Sequence, residues 1–269
     1  MDSSRPIGVF DSGVGGLTVV RELRSRLPQE SIVYFGDTAR LPYGTKSAET
    51  ITRFALQDGD FLVQRGVKMV VVACHSATSV ALSELSRRLP VPVVGVIEPG
   101  ARAVVAATKT GRVAVIGTMA TITAKAYERA IRALTQKIEI IAKPTPLFVP
   151  LVEEGWLDNE VAEGVVRHYL SGMTEDCVDA LLLGCTHFPL LAPVISRVLG
   201  PKVQLIDPAV ETAATVERLL RELGLLNPGG PGRHRFYLSD LVPNFPVVAA
   251  RFLGEPLEEV MLASPGGSE

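Results

Sequence analysis

Two short stretches of the chain carry the residues best suited to chemistry, and each places a cysteine at the end of an apolar run. The first reads Val-Val-Val-Ala-Cys-His-Ser over residues 70–76, and the second reads Leu-Leu-Leu-Gly-Cys-Thr-His over residues 181–187. Such runs are typical of strands buried on both faces of a parallel sheet, and ligands bind outside the carboxyl ends of these strands. Cys74 and Cys185 could therefore face one another across a small molecule, moving a proton off one face of a carbon and onto the other.

The two thiols need partners that adjust their ionisation. A cysteine acts as a base only as a thiolate, and its ordinary pKa of about 8.5 leaves little thiolate near neutrality. A nearby imidazole or carboxylate can change that balance and carry the proton. Asp11, at the end of the first apolar strand, is the candidate for Cys74, and His187 is the candidate for Cys185. Cys177 lies in a Thr-Glu-Asp-Cys segment without a histidine beside it and does not end an apolar run, so we expect it to be structural.

Two loops that follow apolar strands are suited to holding a carboxylate. Residues 11–18 read Asp-Ser-Gly-Val-Gly-Gly-Leu-Thr, a glycine-rich turn into a helix of the kind whose N–H groups meet an anion. Their spacing matches neither a Walker loop nor the dinucleotide fingerprint, which favours a carboxylate over a nucleotide. Residues 42–44, Pro-Tyr-Gly, can form a turn that presents the Tyr43 phenol and a free N–H. Taken alone, both loops are also common as structural connections.

Cysteine, histidine and aspartate are also zinc ligands, so a metal site is the competing interpretation. The chain has no Cys-x-x-Cys and no His-x-x-x-His, and its two Cys/His pairs come from distant strands. We therefore expect no metal.

The composition limits the class of protein. The 269 residues are 47% hydrophobic and carry a net charge of −2, which is ordinary for a water-soluble protein of one or two domains and argues against nucleic acid or an anionic membrane as partner. No apolar run approaches membrane-spanning length, and no signal peptide is recognisable. Three cysteines are too few for a disulfide framework. These features predict a reduced, cytoplasmic protein.

Short apolar runs alternate with amphipathic segments along most of the chain, which predicts an α/β fold with mainly parallel sheets. Candidate strands are Ile7–Phe10, Ile32–Phe35, Met69–Ala73, Val93–Ile97, Val113–Ile116, Ile138–Ala142, Ala180–Gly184, Val203–Ile206 and Phe236–Ser239. Candidate helices are Leu17–Leu27, Ser47–Arg65, Val80–Leu89, Ile122–Leu134, Glu160–Met173, Ala209–Leu223 and Phe245–Phe252. Glu98-Pro99-Gly100 interrupts the pattern and suggests a division there, with one cysteine strand in each half. The two strands can also be read as a coincidence of short buried segments.

Taken together, these blocks resemble the glutamate racemase family of the cofactor-independent aspartate/glutamate racemase superfamily. The specific matches are the opening block Gly8–Val19 and the second cysteine block Leu183–Leu191. Further matches are Gly36-Asp37, Pro42–Gly44, Ile116–Thr121, Pro150–Gly155, Glu211–Ala213 and Phe236–Asp240. The resemblance implies two similar parallel-sheet α/β domains related by a pseudo-two-fold axis, with the active site in the cleft between them. The expected domains are residues 1–97 plus 209–269, and residues 98–208.

The resemblance also implies a reaction. One cysteine thiolate removes the α-proton of glutamate while the other thiol protonates the opposite face, with Cys74 serving the D-enantiomer and Cys185 the L-enantiomer. Asp11 and His187 assist the thiols, no pyridoxal phosphate or metal takes part, and the D-glutamate supplies peptidoglycan. The sequence is compatible with a homodimer. The residues expected to bind substrate are Asp11, Ser12, Tyr43, Gly44, His75, Ser76, Thr118, Thr121, Thr186 and His187.

The main departure from the family lies beside the first cysteine, where Cys-Asn-Thr is usual and this chain has Cys74-His75-Ser76. Ser76 keeps the hydroxyl, but His75 replaces an amide with a larger ring. An imidazole has an ordinary pKa near 6.5, so we expect His75 to titrate near neutrality and to influence Cys74. Two alternatives stay open: a racemase of another small acidic amino acid such as aspartate, and an amino-acid-binding regulatory protein that has lost turnover.

Overall fold

The computed structural model describes residues 2–173, 176–241, 245–257 and 259–265. The strands in those ranges are β1 (Ile7–Asp11), β2 (Ile32–Gly36), β3 (Met69–Val72), β4 (Val93–Gly95), β5 (Arg112–Gly117), β6 (Glu139–Pro144), β7 (Ala180–Gly184), β8 (Gln204–Ile206), β9 (His234–Leu238) and β10 (Met261–Leu262). The helices are α1 (Leu17–Arg26), α2 (Ala48–Gln64), α3 (His75–Arg88), α4 (Ile97–Ala107), α5 (Met119–Thr123), α6 (Ala126–Leu134), α7 (Phe148–Glu153), α8 (Glu160–Leu170), α9 (Ala192–Leu199), α10 (Pro208–Glu222) and α11 (Phe245–Leu253).

The strands form two sheets, and every pairing in them is parallel. The first has the order β10-β9-β2-β1-β3-β4 and the second the order β6-β5-β7-β8. Without β9 and β10, each sheet has its strands in the order second, first, third, fourth. The predicted α/β fold with two similar parallel sheets is therefore confirmed. The shared order also explains why the two cysteine stretches look alike, since each follows the third strand of its sheet.

The strands before the cysteines are fully buried, as their uninterrupted apolar sequences predict. Helices cover both faces of the sheets, and α10 packs against α1 of the first half and α4 of the second. Strands β9 and β10, near the end of the chain, return to the first sheet. The exact domain limits at residues 97/98 and 208/209 stay a prediction, and residues 1 and 266–269 of the first domain lie outside the described residues.

Several predicted element boundaries were wrong, among them the strand predicted over Val93–Ile97, which ends at Gly95 because Ile97 begins α4. Helix α3 begins at His75, directly after the cysteine, rather than at Val80. Glu98-Pro99-Gly100 does not interrupt the fold but lies in the first turns of α4, where the early N–H groups have no intrahelical partner and a proline costs nothing. The predicted helix over residues 122–134 is split into α5 and α6 by Lys125, whose φ is 51°. None of the described helices is long and apolar enough to cross a bilayer.

Candidate active site

Cys74 and Cys185 line the same pocket, at the carboxyl ends of β3 and β7. Both thiols are largely buried, with 5% and 6% of their residue surface exposed. The cavity is narrow, with a volume of about 30 Å³. Larger grooves on the described surface contain neither cysteine. The residues around the pocket are Ser12, Gly13, Leu41, Pro42, Tyr43, Gly44, Cys74, His75, Ser76, Thr118, Val149, Glu153, Cys185, Thr186 and His187.

On the Cys185 side of the pocket, His187 lies between the Cys185 thiol and the Glu153 carboxyl group. The Nδ1 atom of His187 lies 3.9 Å from the Cys185 Sγ atom, and its Nε2 atom lies 3.1 Å from the Glu153 Oε1 atom. Burial lowers the pKa of His187, but the bonds to Cys185 and Glu153 outweigh it and raise the pKa to about 10. His187 is therefore an imidazolium at neutral pH, and it supplies the positive charge that a Cys185 thiolate needs.

The Cys74 side has no cation of this kind. The Cys74 Sγ atom caps α3 and accepts a hydrogen bond from the Ala77 N–H at 3.5 Å. Burial raises the pKa of Cys74 to about 12, with a contribution from the Asp11 carboxylate that exceeds the opposing hydrogen bond. Cys74 is therefore a neutral thiol in the absence of substrate, which suits it to give a proton rather than to take one.

Asp11 influences both sides of the pocket without lining it. Its Oδ2 atom accepts the Gly13 N–H at 3.0 Å, and its buried Oδ1 atom has no hydrogen-bond partner in the described part of the chain. Burial raises the pKa of Asp11, while the positive charge of His187 and backbone N–H groups of the glycine-rich turn lower it. The carboxyl group thus interacts with Cys74 and His187 at once.

His75 lines the pocket, but its expected titration near neutrality is wrong. Burial, with a smaller contribution from the charge of His187, lowers the pKa of His75 to about 3. Neither ring nitrogen has a hydrogen-bond partner among the described residues, and the distance between the ring centroids of His75 and Tyr127 is 6.1 Å. His75 is therefore a neutral imidazole that can offer one donor and one acceptor to a bound molecule.

A chain of hydroxyl groups connects the two halves at the pocket. The Ser76 Oγ atom lies 2.9 Å from the Thr118 Oγ1 atom, and Thr118 lies 3.0 Å from the Thr121 hydroxyl. Ser76 follows β3 of the first sheet and Thr118 follows β5 of the second. Thr121 belongs to this network but not to the pocket wall.

The two carboxylate-binding loops expected from the sequence both lie at the pocket, and each contacts the second half. A Cβ atom on Gly15 would lie 2.2 Å from the Thr186 hydroxyl, and one on Gly44 would lie 2.7 Å from Thr118, so only glycine allows these approaches. The expected role of the Tyr43 phenol is wrong. Its hydroxyl hydrogen-bonds Asp37 and Asp58, so its hydrogen is not available to a bound carboxylate.

Glu153 lines the pocket with a carboxyl group that was not predicted from the sequence. It ends α7 and fixes His187, and its only signal was its place in the matching segment 150–155. Cys177 is exposed and lies outside the pocket. Among the described residues, no group of three or more His, Cys, Asp or Glu side chains could hold a metal ion.

Several proteins similar to this chain in sequence or in fold are glutamate racemases. Residues 17–216 match the Asp/Glu/Hydantoin racemase family. The chain is 52% identical to glutamate racemase of Geobacter metallireducens, over 97% of each sequence. Its structure is similar to Francisella tularensis glutamate racemase in complex with D-glutamate (39% identity, TM-score 0.93, 98% of this chain and 99% of that one). It is also similar to the Thermus thermophilus enzyme in complex with β-chloro-D-alanine (48% identity, TM-score 0.89, 98% of both chains).

Proposed function

Because the chain belongs to the Asp/Glu/hydantoin racemase family, and within it to the glutamate racemases, we propose that it interconverts L- and D-glutamate with Cys74 and Cys185 as its two bases. The observation that carries this proposal is the presence of both thiols in one narrow pocket, each at the end of an equivalent strand. Two acid–base groups on opposite sides of one carbon are what an inversion by proton transfer requires.

The unequal charges around the thiols support a division of labour. In the direction from L-glutamate, a Cys185 thiolate paired with the His187 imidazolium takes the α-proton and becomes a thiol. Cys74 then gives its proton to the opposite face of the carbanion and becomes a thiolate. In the direction from D-glutamate the same transfers run backwards. Each turnover moves one proton onto one sulfur and one proton off the other.

Donors around the pocket are suited to binding the two carboxylates and the amino group. We assign substrate binding to hydroxyls and backbone N–H groups on both halves, with His75 supplying one neutral donor and one acceptor. The pocket is narrow, with a cavity volume of about 30 Å³, and walls that enclose the substrate would exclude water around the carbanion. The assigned hydroxyl and N–H groups belong to Ser12, Gly44, Ser76, Thr118 and Thr186, and Thr121 contributes through its hydrogen bond with Thr118.

A family role in supplying D-glutamate to peptidoglycan follows from this activity, and we extend it to this chain as part of the proposal. A cytoplasmic location and a homodimeric assembly stay predictions that the chain's own expression and sizing can test.

The test is circular dichroism of L-glutamate with time, using protein dialysed against a chelator and no pyridoxal phosphate. The proposal expects the signal to decay to zero as both enantiomers reach equal concentration. Loss of activity on chelation that zinc restores would favour a metal mechanism. Faster turnover of aspartate would favour the other substrate, and glutamate binding without α-proton exchange would indicate a binding protein.

A further inference from the structure

A buried polar cluster outside the pocket binds the hydroxyl of Tyr43. We call it the Tyr43 cluster, and it comprises Asp37, Arg40, Tyr43, Asp58 and Ser239. Both aspartates are completely buried, and the Arg40 side chain is largely buried. The proposed reaction uses none of these charged groups, although Tyr43 itself belongs to a loop that lines the pocket.

The hydrogen bonds of the Tyr43 cluster require a proton on one of its two aspartates. The Tyr43 hydroxyl oxygen lies 2.9 Å from the Asp58 Oδ2 atom and also within hydrogen-bonding distance of the Asp37 Oδ2 atom. A phenol has a single hydrogen, so it can donate to only one of these carboxyl groups. The other contact would bring two unshared oxygens together unless that carboxyl group carries a proton.

The charges in the cluster also require one proton on one of the two aspartates. Arg40 donates from Nε to the Asp37 Oδ2 atom at 2.6 Å and from Nη2 to the Asp58 Oδ1 atom at 2.8 Å. Among the described residues, Arg40 is the only cation that hydrogen-bonds either carboxyl group. Two ionised carboxylates against one guanidinium would leave a negative charge buried without a partner, which is strongly unfavourable. One proton makes the cluster neutral.

The proton belongs on Asp58 rather than on Asp37. Asp37 already accepts hydrogen bonds from Arg40 and from the Ser239 hydroxyl at 2.9 Å, both of which favour its ionised form. Asp58 has Arg40 as its only other donor in the described chain. Burial and the negative charge of Asp37 raise the pKa of Asp58 well above its usual range, despite the opposing effects of Arg40 and Tyr43. The more distant Asp11 adds to the rise.

We propose that Asp58 is a positioning residue that carries a proton at neutral pH, donates it to Tyr43, and so holds the loop of residues 42–44 against the pocket. Tyr43 donates in turn to Asp37. The adjacent Gly44 contacts Thr118 of the second half, which hydrogen-bonds Ser76. A shift of Tyr43 would therefore displace one wall of the pocket where the two halves meet, and it should weaken substrate binding more than it slows proton transfer.

Substitutions of Asp58 can distinguish a protonated Asp58, which donates a hydrogen bond to Tyr43, from an ionised Asp58, which does not. Asp58→Asn keeps the size and can donate to Tyr43, so KM and kcat for glutamate should stay within about threefold of wild type. Asp58→Ala removes the donor and should raise KM about tenfold with a smaller change in kcat. Asp60→Asn, on the same helix and paired with Arg88 near the surface, is the matched control and should change neither. A KM for Asp58→Asn as high as that for Asp58→Ala would overturn the proposal.

The KM test rests on the proposed function. The pH dependence of the stability is a second measurement, and it does not depend on that function. A carboxyl group whose pKa is raised by folding stabilises the fold fully below its unfolded pKa of about 3.9, and that contribution is lost as the pH rises above it. The denaturant midpoint of wild type should therefore fall relative to Asp58→Asn between pH about 4 and about 8. An ionised Asp58 would instead give no relative fall or a rise.

Infrared difference spectra of wild type minus Asp58→Asn at neutral pH should also contain the carbonyl band of a protonated carboxyl group. Absence of that band would contradict the proposal even if Asp58→Ala fails to fold. If wild type does not turn over glutamate but shows the band and the relative fall in stability, the proposed function fails and the state of Asp58 stands.

Discussion

The two cysteines occupy equivalent positions in the two sheets, but their surroundings differ in charge. Cys185 lies beside an imidazolium that Glu153 fixes, whereas Cys74 lies beside the buried carboxyl group of Asp11 and a neutral imidazole. The strand order sets where each thiol is, whereas the charged groups beside each thiol come from several elements and differ. We infer from this difference that Cys185 acts as the base and Cys74 as the acid in the direction from L-glutamate.

The largest effect on activity is expected when one of the two thiols is removed. Since each inversion needs one base and one acid, Cys74→Ser and Cys185→Ser should each lower racemisation by about 10³-fold or more, because a serine hydroxyl is a far weaker acid than a thiol. Cys177→Ser is the control and should retain nearly full activity. Near-normal turnover by either pocket variant, measured by circular dichroism, would contradict the two-base assignment.

Removal of the cation on the Cys185 side should have the next largest effect. His187→Asn should lower kcat/KM by about 10²–10⁴-fold, the usual range for a positioned acid–base group, and Glu153→Gln by about tenfold. The two enantiomers have equal free energy, so kcat/KM must fall equally in both directions. His168→Asn, in the exposed face of α8, is the matched control. An unchanged kcat/KM for His187→Asn would show that Cys185 does not depend on the imidazolium.

The pairing of His187 with Glu153 should also appear in the pH dependence of stability. The folded-state pKa of His187 is raised to about 10 from an ordinary value of about 6.5, so the stabilisation is complete below pH about 6.5 and lost as the pH rises through about 10. Glu153 is partly exposed, so Glu153→Gln should cost only about 1 kcal/mol near pH 6, or about 2–4 °C in Tm. That difference should shrink by pH 10. A Tm difference that grows with pH would contradict the assignment.

The smallest effect is expected on the Cys74 side, at the residue that departs from the family. His75 is neutral throughout the physiological range, so His75→Asn should keep activity within about threefold. The kcat/KM profiles of the two proteins should superimpose from pH about 5 to about 8. An ionisation present in wild type and missing from His75→Asn would show that the ring is charged near neutrality and that the two sides are more alike than proposed.

Sequence reasoning located the two thiols because buried parallel strands leave an unmistakable apolar run and their carboxyl ends are a known place for ligands. It missed the start of α3, since the small polar residues that follow Cys74 are weak helix formers that are stabilised here by burial and by the cysteine cap. The titration of His75 could not be predicted, because it depends on complete burial. The hydrogen bonds of Tyr43 join one loop to the preceding loop and to the following helix, and that of Glu153 spans 34 residues, so no periodic pattern indicates them.

Solvent-deuterium incorporation can show whether the two thiols act from opposite faces as separate acid and base. Enzyme equilibrated in D₂O carries deuterium on the Cys74 sulfur, and protiated L-glutamate is followed through early turnover. With two separate bases, we expect the D-glutamate formed to carry deuterium at Cα while the remaining L-glutamate stays protiated. Retention of the original proton in the product, or deuterium appearing in L-glutamate as fast as in D-glutamate, would indicate a single base and contradict the two-base assignment.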